Sequence, residues 1–223
     1  MARGLLPVKP LLMLDLDNTL VDRDAAFRAA ATALLAEHAL PETDIEWLMT
    51  LDASGYTPKP AVAEAMADRY GTALPETAIR MLLDRGAADR VVLAKTTREA
   101  LTKALTDGWT CVIVTNGRTV QQEAKIRNTG LERLVQGCVI SERVGHRKPD
   151  PEIFHAAAEV VGVPLSGAWM IGDSPSADIG GANGLGLRSV WVSGGRPWPE
   201  DSYRPTHVAS GVSSAINFAI GTT

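Results

Sequence analysis

The chain has 223 residues, of which 45% are hydrophobic and 22% are charged, which predicts an ordinary soluble globular protein of one domain or a domain with an insert. Its formal net charge of −4 gives no electrostatic reason to expect nucleic acid or an anionic membrane as a partner. Cys111 and Cys138 lie far apart in apolar runs, which favours free buried thiols and a reducing, cytoplasmic location. Residues 1–10 do not resemble a signal peptide, and we predict no transmembrane segment.

The first predicted strand is the apolar run 11–14, which continues directly into Asp15, Leu16 and Asp17. A short apolar run of this kind predicts a buried strand, most often in a parallel sheet. Carboxylates at the end of such a strand need a cation, hydrogen bonds or solvent. Ligands of open α/β sheets bind at the carboxyl ends of strands, but Asp is also a common turn residue. This stretch alone therefore predicts either a functional site or a simple turn.

Residues 22–94 show helical periodicity and no convincing strand pattern. Four helical segments are predicted: 25–39, one that starts at Pro41 to Thr43 and ends at Ser54-Gly55, 61–70, and one that begins at Pro75. We interpret the basic residues of this region as solvated surface groups, with contact to an anionic substrate as the alternative: Arg23, Arg28, Lys59 and Arg69. The region is therefore predicted to be a small helical bundle inserted after the first strand.

From residue 95 onward, helical and strand patterns alternate. Strands are predicted at 109–115, 137–141, 168–172 and 187–192, with a possible short sixth strand at 207–209. One of the intervening helices is predicted at 151–161, with Asp150 as its N-cap. This alternation predicts a parallel sheet covered on both faces. The expected fold is therefore α/β, with a Rossmann-like core of residues 1–21 and 95–223 and a helical bundle at 22–94.

Polar side chains follow the predicted strands where each one ends. They are Asp15 and Asp17, Thr115 and Asn116, Lys148, and finally Asp173 and Asp178. If the strands are parallel and adjacent, these groups meet at one edge of the sheet. Carboxylates that share a small site repel each other unless a cation is present, and Mg²⁺ takes carboxylate, carbonyl, water and phosphate oxygens. The pattern therefore predicts a metal-assisted phosphate site.

These motifs resemble those of the haloacid dehalogenase superfamily. Asp15-Leu16-Asp17-Asn18-Thr19 resembles its first motif, and Thr115-Asn116-Gly117 resembles its second. Lys148 matches the third motif, and the segment 172–178, with Asp173 and Asp178, matches the fourth. The order and spacing agree from Leu11 to about Val192, and the insert at 22–94 resembles the helical cap of this superfamily.

The resemblance implies a role for each residue. Asp15 is the expected nucleophile, which forms an aspartyl phosphate, and Asp17 is the expected general acid and base. Lys148 is also expected to be catalytic, and it binds the phosphoryl oxygens together with Thr115 and Asn116. The implied Mg²⁺ ligands are Asp15, the backbone carbonyl of Asp17, and Asp173, while Asp178 supports the metal or orients Lys148. The alternatives are that Asp178 is a surface acid and that Asn116 is a turn residue.

These roles imply a Mg²⁺-dependent phosphatase that acts on a small phosphorylated metabolite. The dehalogenase branch lacks the second acid, so Asp17 argues against that chemistry. A phosphosugar mutase of the same superfamily and a catalytically silent interaction protein are the alternatives. The expected protein is a monomer or homodimer with no nucleic-acid or membrane partner. The resemblance does not identify the metabolite, since similar members act on phosphoglycolate, sugar phosphates and nucleoside monophosphates.

Overall fold

The computed structural model describes residues 10–85 and 88–221 of the chain. They divide into two compact units, one interrupted after Val21 and resumed at Leu93, the other running Asp22–Val92. The prediction that no signal peptide is present concerns residues 1–10, of which residues 1–9 lie outside the described residues. Among the described helices, none combines the length and apolar character needed to cross a membrane.

The larger unit is built on a six-stranded sheet in which all neighbouring strands are parallel. The strands are β1 (Leu11–Leu14), β2 (Thr110–Thr115), β3 (Gly137–Ile140), β4 (Trp169–Gly172), β5 (Arg188–Val192) and β6 (His207–Ala209). Their order across the sheet is β3-β2-β1-β4-β5-β6, so β1 lies between β2 and β4. The prediction of a parallel α/β sheet is confirmed, and the short sixth strand is present.

The helices that the structure describes follow the predicted order closely. They are α1 (Arg23–Glu37), α2 (Ile45–Asp52), α3 (Lys59–Tyr70), α4 (Glu76–Arg85), α5 (Lys95–Thr106), α6 (Thr119–Thr129), α7 (Ser141–Val144), α8 (Pro151–Val161), α9 (Gly181–Gly184) and α10 (Val212–Gly221). A π-helical segment, Pro175–Gly180, precedes α9. The short helix α7 is absent from the sequence-based prediction, because four residues are too few to show a helical period.

Helices cover both faces of the sheet. Successive side chains of a strand point to opposite faces of the sheet, so adjacent residues of β4 contact the helices on opposite faces. Met170 belongs to a buried cluster with Ile153 and Phe154 of α8. Trp169, the preceding residue, lies edge-on to Phe218 of α10, with the ring centroids 6.0 Å apart. The predicted two-sided cover is therefore confirmed.

The smaller unit contains α1 to α4, and its described residues form no strand. Helix α1 packs against α2 and α4, and α3 packs against α4. The large side chains at the centre of this packing are Phe27, Leu35, Leu48, Met66 and Ile79. Their mutual burial, rather than the short helices themselves, stabilises the unit.

Three of the four basic residues considered in the smaller unit, Arg23, Arg28 and Arg69, pair with acids, and of these three only Arg23 is buried. Arg23 is buried and forms two hydrogen bonds with the carboxylate of Asp52. Arg69 donates to both oxygens of Asp44, at 2.6 and 2.8 Å, and its guanidinium lies 4.5 Å from the ring centroid of Trp47. The interpretation of Arg23 as a solvated surface group is wrong, since apolar periodicity does not reveal a buried ion pair.

Gly181, at the start of α9, lies against Phe154. A Cβ atom at this position would come within 2.6 Å of the Phe154 ring and 3.2 Å of the Pro149 Cα. Phe154 is fully buried, so its ring has no space into which to retreat. We expect Gly181→Ala to lower the free energy of unfolding by about 1–3 kcal/mol through overpacking, measured by urea denaturation.

Gly184→Ala is the matched control in the same helix, because a Cβ there meets nothing within 4 Å. We expect this variant to be neutral or slightly stabilised, since Ala favours helix more than Gly does. Equal stability of the Gly181 and Gly184 variants would contradict the close packing of α9 against α8.

Candidate active site

The predicted site residues lie at the carboxyl edge of the three central strands. Asp15 follows the last residue of β1, Thr115 ends β2, and Asp173 follows the last residue of β4. The backbone N–H of Asp15 donates to the carbonyl of Ile171 in β4 at 2.9 Å, so hydrogen bonding of the sheet extends to this residue. The parallel order of the strands therefore brings residues that are distant in sequence to one edge.

Lys148 is the centre of the site. Its Nζ donates to Oδ1 of Asp15 at 2.6 Å and to Oδ1 of Asp178 at 2.7 Å. Lys148 is 3% exposed and Asp178 is 0% exposed, so solvent contributes little to either charge. The backbone N–H of Ser174 donates to Oδ2 of Asp178 at 2.9 Å. The charges of this cluster are thus compensated by one another and by a backbone dipole.

Asn116 holds the backbone of Lys148 through a reciprocal pair of hydrogen bonds. Its Nδ2 donates to the Lys148 carbonyl, and its Oδ1 accepts from the Lys148 N–H, both at 2.9 Å. The end of β2 therefore fixes the loop that carries the lysine. This contact makes Asn116 more than a turn residue, while its binding of phosphate stays a prediction.

Asp178 owes its position to a glycine at the end of β4. A Cβ atom on Gly172 would lie 2.1 Å from Oδ2 of Asp178, so only a residue without a side chain leaves room for this carboxylate. The π-helical segment Pro175–Gly180 carries Asp178 back toward the strand end. The alternative interpretation of Asp178 as a surface acid is wrong, because the residue is fully buried.

Three carboxylates form an acidic cluster in the described part of the chain. One oxygen each from Asp15, Asp173 and Asp178 lies within 4.8 Å of the others. Burial raises the pKa of Asp15 to about 8, with Lys148 opposing this shift and Asp178 and Asp173 reinforcing it. Burial, followed by the charge of Asp178, also raises the pKa of Asp173 to about 6. Three carboxylates facing one ammonium group form an oxygen donor set with excess negative charge, which suits a hard divalent cation.

The carboxylate of Asp17 is bound separately, by side chains of α6. Lys125 Nζ lies 2.7 Å from both of its oxygens, and Gln122 Nε2 donates to Oδ2 at 3.0 Å. Gln122 also donates to Oγ1 of Thr115 at 2.6 Å. Neither residue of α6 was among the predicted site residues. Their spacing of three, on the helix that follows the second motif, was the available signal, since it places them on one helix face.

Asp173 has two further partners that the sequence analysis missed. The indole N–H of Trp191 and the guanidinium of Arg196 each donate to its backbone carbonyl at 2.9 Å. Arg196 also approaches Oδ2 of Asp173 at 3.4 Å. These contacts fix the backbone of the residue predicted to bind the metal.

We expect Lys148→Met to destabilise the metal-free protein strongly, because it leaves two buried carboxylates without a counter-charge. Loss of such a partner typically costs about 3–5 kcal/mol. Lys148 lowers the pKa of Asp15, so its removal raises that pKa further. The destabilisation should therefore be larger at about pH 8, where Asp15 must ionise, than at about pH 5, where Asp15 is protonated in the folded protein. Urea denaturation in EDTA at both pH values measures the difference.

Lys103→Met is the matched control, because Lys103 pairs with Asp107 on the exposed surface of α5. Removal of an exposed pair of this kind costs about 0.5 kcal/mol or less. A Lys148→Met variant whose stability loss is equally small, or independent of pH, would contradict the charge compensation described above.

A family model described as haloacid dehalogenase-like hydrolase matches residues 12–192 of the chain. This range contains every site residue that the sequence analysis predicted. Among curated proteins, the phosphoserine phosphatase of Thermus thermophilus is 39% identical over 101 residues, which is 45% of this chain and 40% of the relative. The pyrimidine 5′-nucleotidase YjjG of Escherichia coli is 35% identical over 99 residues, which is 44% of each chain. The chain therefore matches about two-fifths of the length of these relatives.

Solved structures share the fold over nearly the whole chain. The HAD-hydrolase YfnB of Bacillus subtilis, bound to magnesium, has a TM-score of 0.75 at 22% identity, over 95% of this chain and 99% of that chain. The L-2-haloacid dehalogenase of Xanthobacter autotrophicus has a TM-score of 0.72 at 17% identity, over 96% of this chain and 100% of that chain. At these identities the likeness establishes the fold alone, so the chemistry depends on the site residues.

Proposed function

This chain belongs to the family of haloacid dehalogenase-like hydrolases, and from that membership we propose that it is a phosphatase that hydrolyses a small phosphorylated metabolite with Mg²⁺ as its cofactor. The observation that carries the proposal is the buried contact of Lys148 with Asp15 and Asp178 beside Asp173. Such a site combines a carboxylate nucleophile with positive charge for a phosphoryl group. The names of the curated relatives, a phosphatase and a nucleotidase, support the same chemistry.

Asp15 is the proposed nucleophile. Lys148 holds Oδ1 of Asp15, so Oδ2 would attack phosphorus. The bond from phosphorus to the leaving oxygen would then break, and an aspartyl phosphate would form. Attack by water on this phosphorus would release inorganic phosphate and regenerate the carboxylate. A covalent route of this kind divides one difficult displacement into two easier steps.

Asp17 is the proposed proton carrier of both steps. It would give a proton to the leaving alcohol oxygen in the first step and take one from the attacking water in the second. Expulsion of a halide needs no such proton. The presence of Asp17 therefore favours a phosphatase over a dehalogenase, although solved dehalogenases share the fold.

Thr115 and Lys148 are the proposed ligands of the phosphoryl oxygens. The hydroxyl oxygen of Thr115 accepts a hydrogen bond from Gln122, and its own O–H would donate to the substrate. The ammonium group of Lys148 would add a charge-assisted hydrogen bond. Asn116 would contribute chiefly by holding the Lys148 backbone in place.

Mg²⁺ would be held by Asp15, Asp173 and the backbone carbonyl of Asp17, with Asp178 orienting Lys148. The oxygen donors and the excess negative charge of the acidic cluster fit such an ion. When bound, the ion would offset the charge of the carboxylates and of the phosphate. The helical unit Asp22–Val92, which resembles a cap in sequence, would select the metabolite.

The first test measures the release of p-nitrophenol from p-nitrophenyl phosphate. We expect the wild-type protein to hydrolyse this ester with Mg²⁺ and not in EDTA. Asp15→Asn should lower the rate by about 1,000-fold or more, because the variant lacks the attacking oxygen anion. Asp150→Asn is the control: it removes an exposed acid that follows Lys148 by two residues, and it should leave the rate unchanged. Asp15→Asn activity near that of wild type would contradict the proposed nucleophile.

The second test measures thermal unfolding with and without saturating Mg²⁺. We expect the ion to raise the Tm of the wild-type protein and not that of Asp173→Asn, because only the folded acidic cluster binds it. The increase should be larger at about pH 8 than at about pH 5, since protons on Asp15 and Asp173 compete with the ion at the lower pH. An equal increase in the wild-type protein and the variant would show that the ion binds elsewhere.

A further inference from the structure

Lys125 is one of two buried lysines that the described residues contain, and the other is Lys148. Each binds one of the two acids of the first motif. Lys125 is 3% exposed, and its Nζ lies at the same distance, 2.7 Å, from both oxygens of Asp17. Burial of a lysine is unfavourable unless a partner compensates the charge. Asp17 is thus the partner that compensates the buried charge of Lys125.

Gln122 connects Asp17 to Thr115, which is a proposed ligand of the phosphoryl group. It lies one turn before Lys125 in α6 and is 1% exposed. Its amide nitrogen bridges Oδ2 of Asp17, at 3.0 Å, and Oγ1 of Thr115, at 2.6 Å. One side chain therefore joins the proposed proton carrier to a proposed phosphate ligand.

We propose that Lys125 and Gln122 are positioning residues for the reaction: they fix the orientation of the Asp17 carboxylate and its distance from Thr115. The inference rests on the proposed function, since it needs Asp17 to exchange a proton with the leaving group. A carboxylate held on both oxygens cannot rotate freely. Oδ2 of Asp17 accepts from both Lys125 and Gln122, whereas Oδ1 accepts from Lys125 and keeps a further acceptor site for the proton. Proton transfer requires this alignment, because the reacting atoms must lie within hydrogen-bond distance.

A purely structural role for the ion pair is the competing explanation. Replacement of a buried ion pair by apolar residues of similar volume is often neutral or stabilising. Stability alone therefore gives little reason for a lysine and a glutamine at adjoining buried positions of α6. Asp17 is also partly open to solvent, with 26% of its side chain exposed, so without these contacts it would adopt several orientations.

The test compares kcat/KM for p-nitrophenyl phosphate and phenyl phosphate. The phenolate leaving group is the more basic of the two, so it depends more on a proton from Asp17. We expect Lys125→Met to lower kcat/KM about 100-fold for phenyl phosphate and less than about tenfold for p-nitrophenyl phosphate. The control Lys103→Met, which replaces an exposed lysine of α5, should change neither value. An equal loss on both esters would overturn the positioning role.

A second measurement separates positioning from structure. In an Asp17→Asn background, Lys125→Met should cause little further loss on phenyl phosphate, because its effect acts through Asp17. A further loss as large as that in the wild-type background would overturn the inference. If Lys125→Met loses its cooperative thermal transition, Gln122→Leu decides instead. The same selective loss on phenyl phosphate would support the positioning role, and an equal loss on both esters would overturn it.

Failure of the proposed function gives a different result. A wild-type protein inactive on both esters, or an active Asp15→Asn variant, would overturn the phosphatase mechanism and this inference with it. In an enzyme whose activity depends on Asp15, equal losses on the two esters overturn only the role of Lys125 and Gln122.

Discussion

A buried ammonium group must have negative charge beside it, and at Lys148 that charge comes from Asp15 and Asp178. Several features of the fold serve this contact. Gly172 leaves the space that Asp178 occupies, and Asn116 ties the Lys148 backbone to the end of β2. The same arrangement leaves the acidic cluster with more negative than positive charge. The same carboxylates therefore neutralise the charge of Lys148 and give the cluster its capacity to bind a cation.

The parallel sheet explains why the site has two separately held acids. Asp15 directly follows β1 and is enclosed by the neighbouring strand ends, whereas Asp17 lies two residues further along and meets α6. One acid is therefore buried beside other carboxylates, and the other is paired with a lysine. Two carboxylates in different surroundings can take different chemical roles, which is what the proposed division into nucleophile and proton carrier requires.

The fold and the residues of the site's centre could be predicted because their signals are local. A buried strand is a run of apolar residues, and the polar group that follows it marks the functional edge. The partners of Asp17 could not be predicted with the same means, because they depend on how α6 is rotated against the sheet. The predicted N-cap of α8 is confirmed at Asp150, although its side chain accepts from the Arg147 N–H at 3.3 Å and not from the first turn of the helix. Family membership is confirmed, while the role of each site residue stays a prediction.

The central position of β1 in the sheet affects how the protein folds during its synthesis on the ribosome. Leu11 pairs with Thr110, and Leu12 pairs with Trp169, so β1, the first strand of the described residues, is synthesised well before its neighbours in the sheet. At roughly 5–20 residues per second, β1 waits roughly 5–20 seconds for β2 and longer for β4. The helical unit is one continuous segment, so its internal contacts can form during this delay. The nascent chain therefore exposes an apolar strand for some time, which makes early chaperone contact and the speed of translation relevant to its yield.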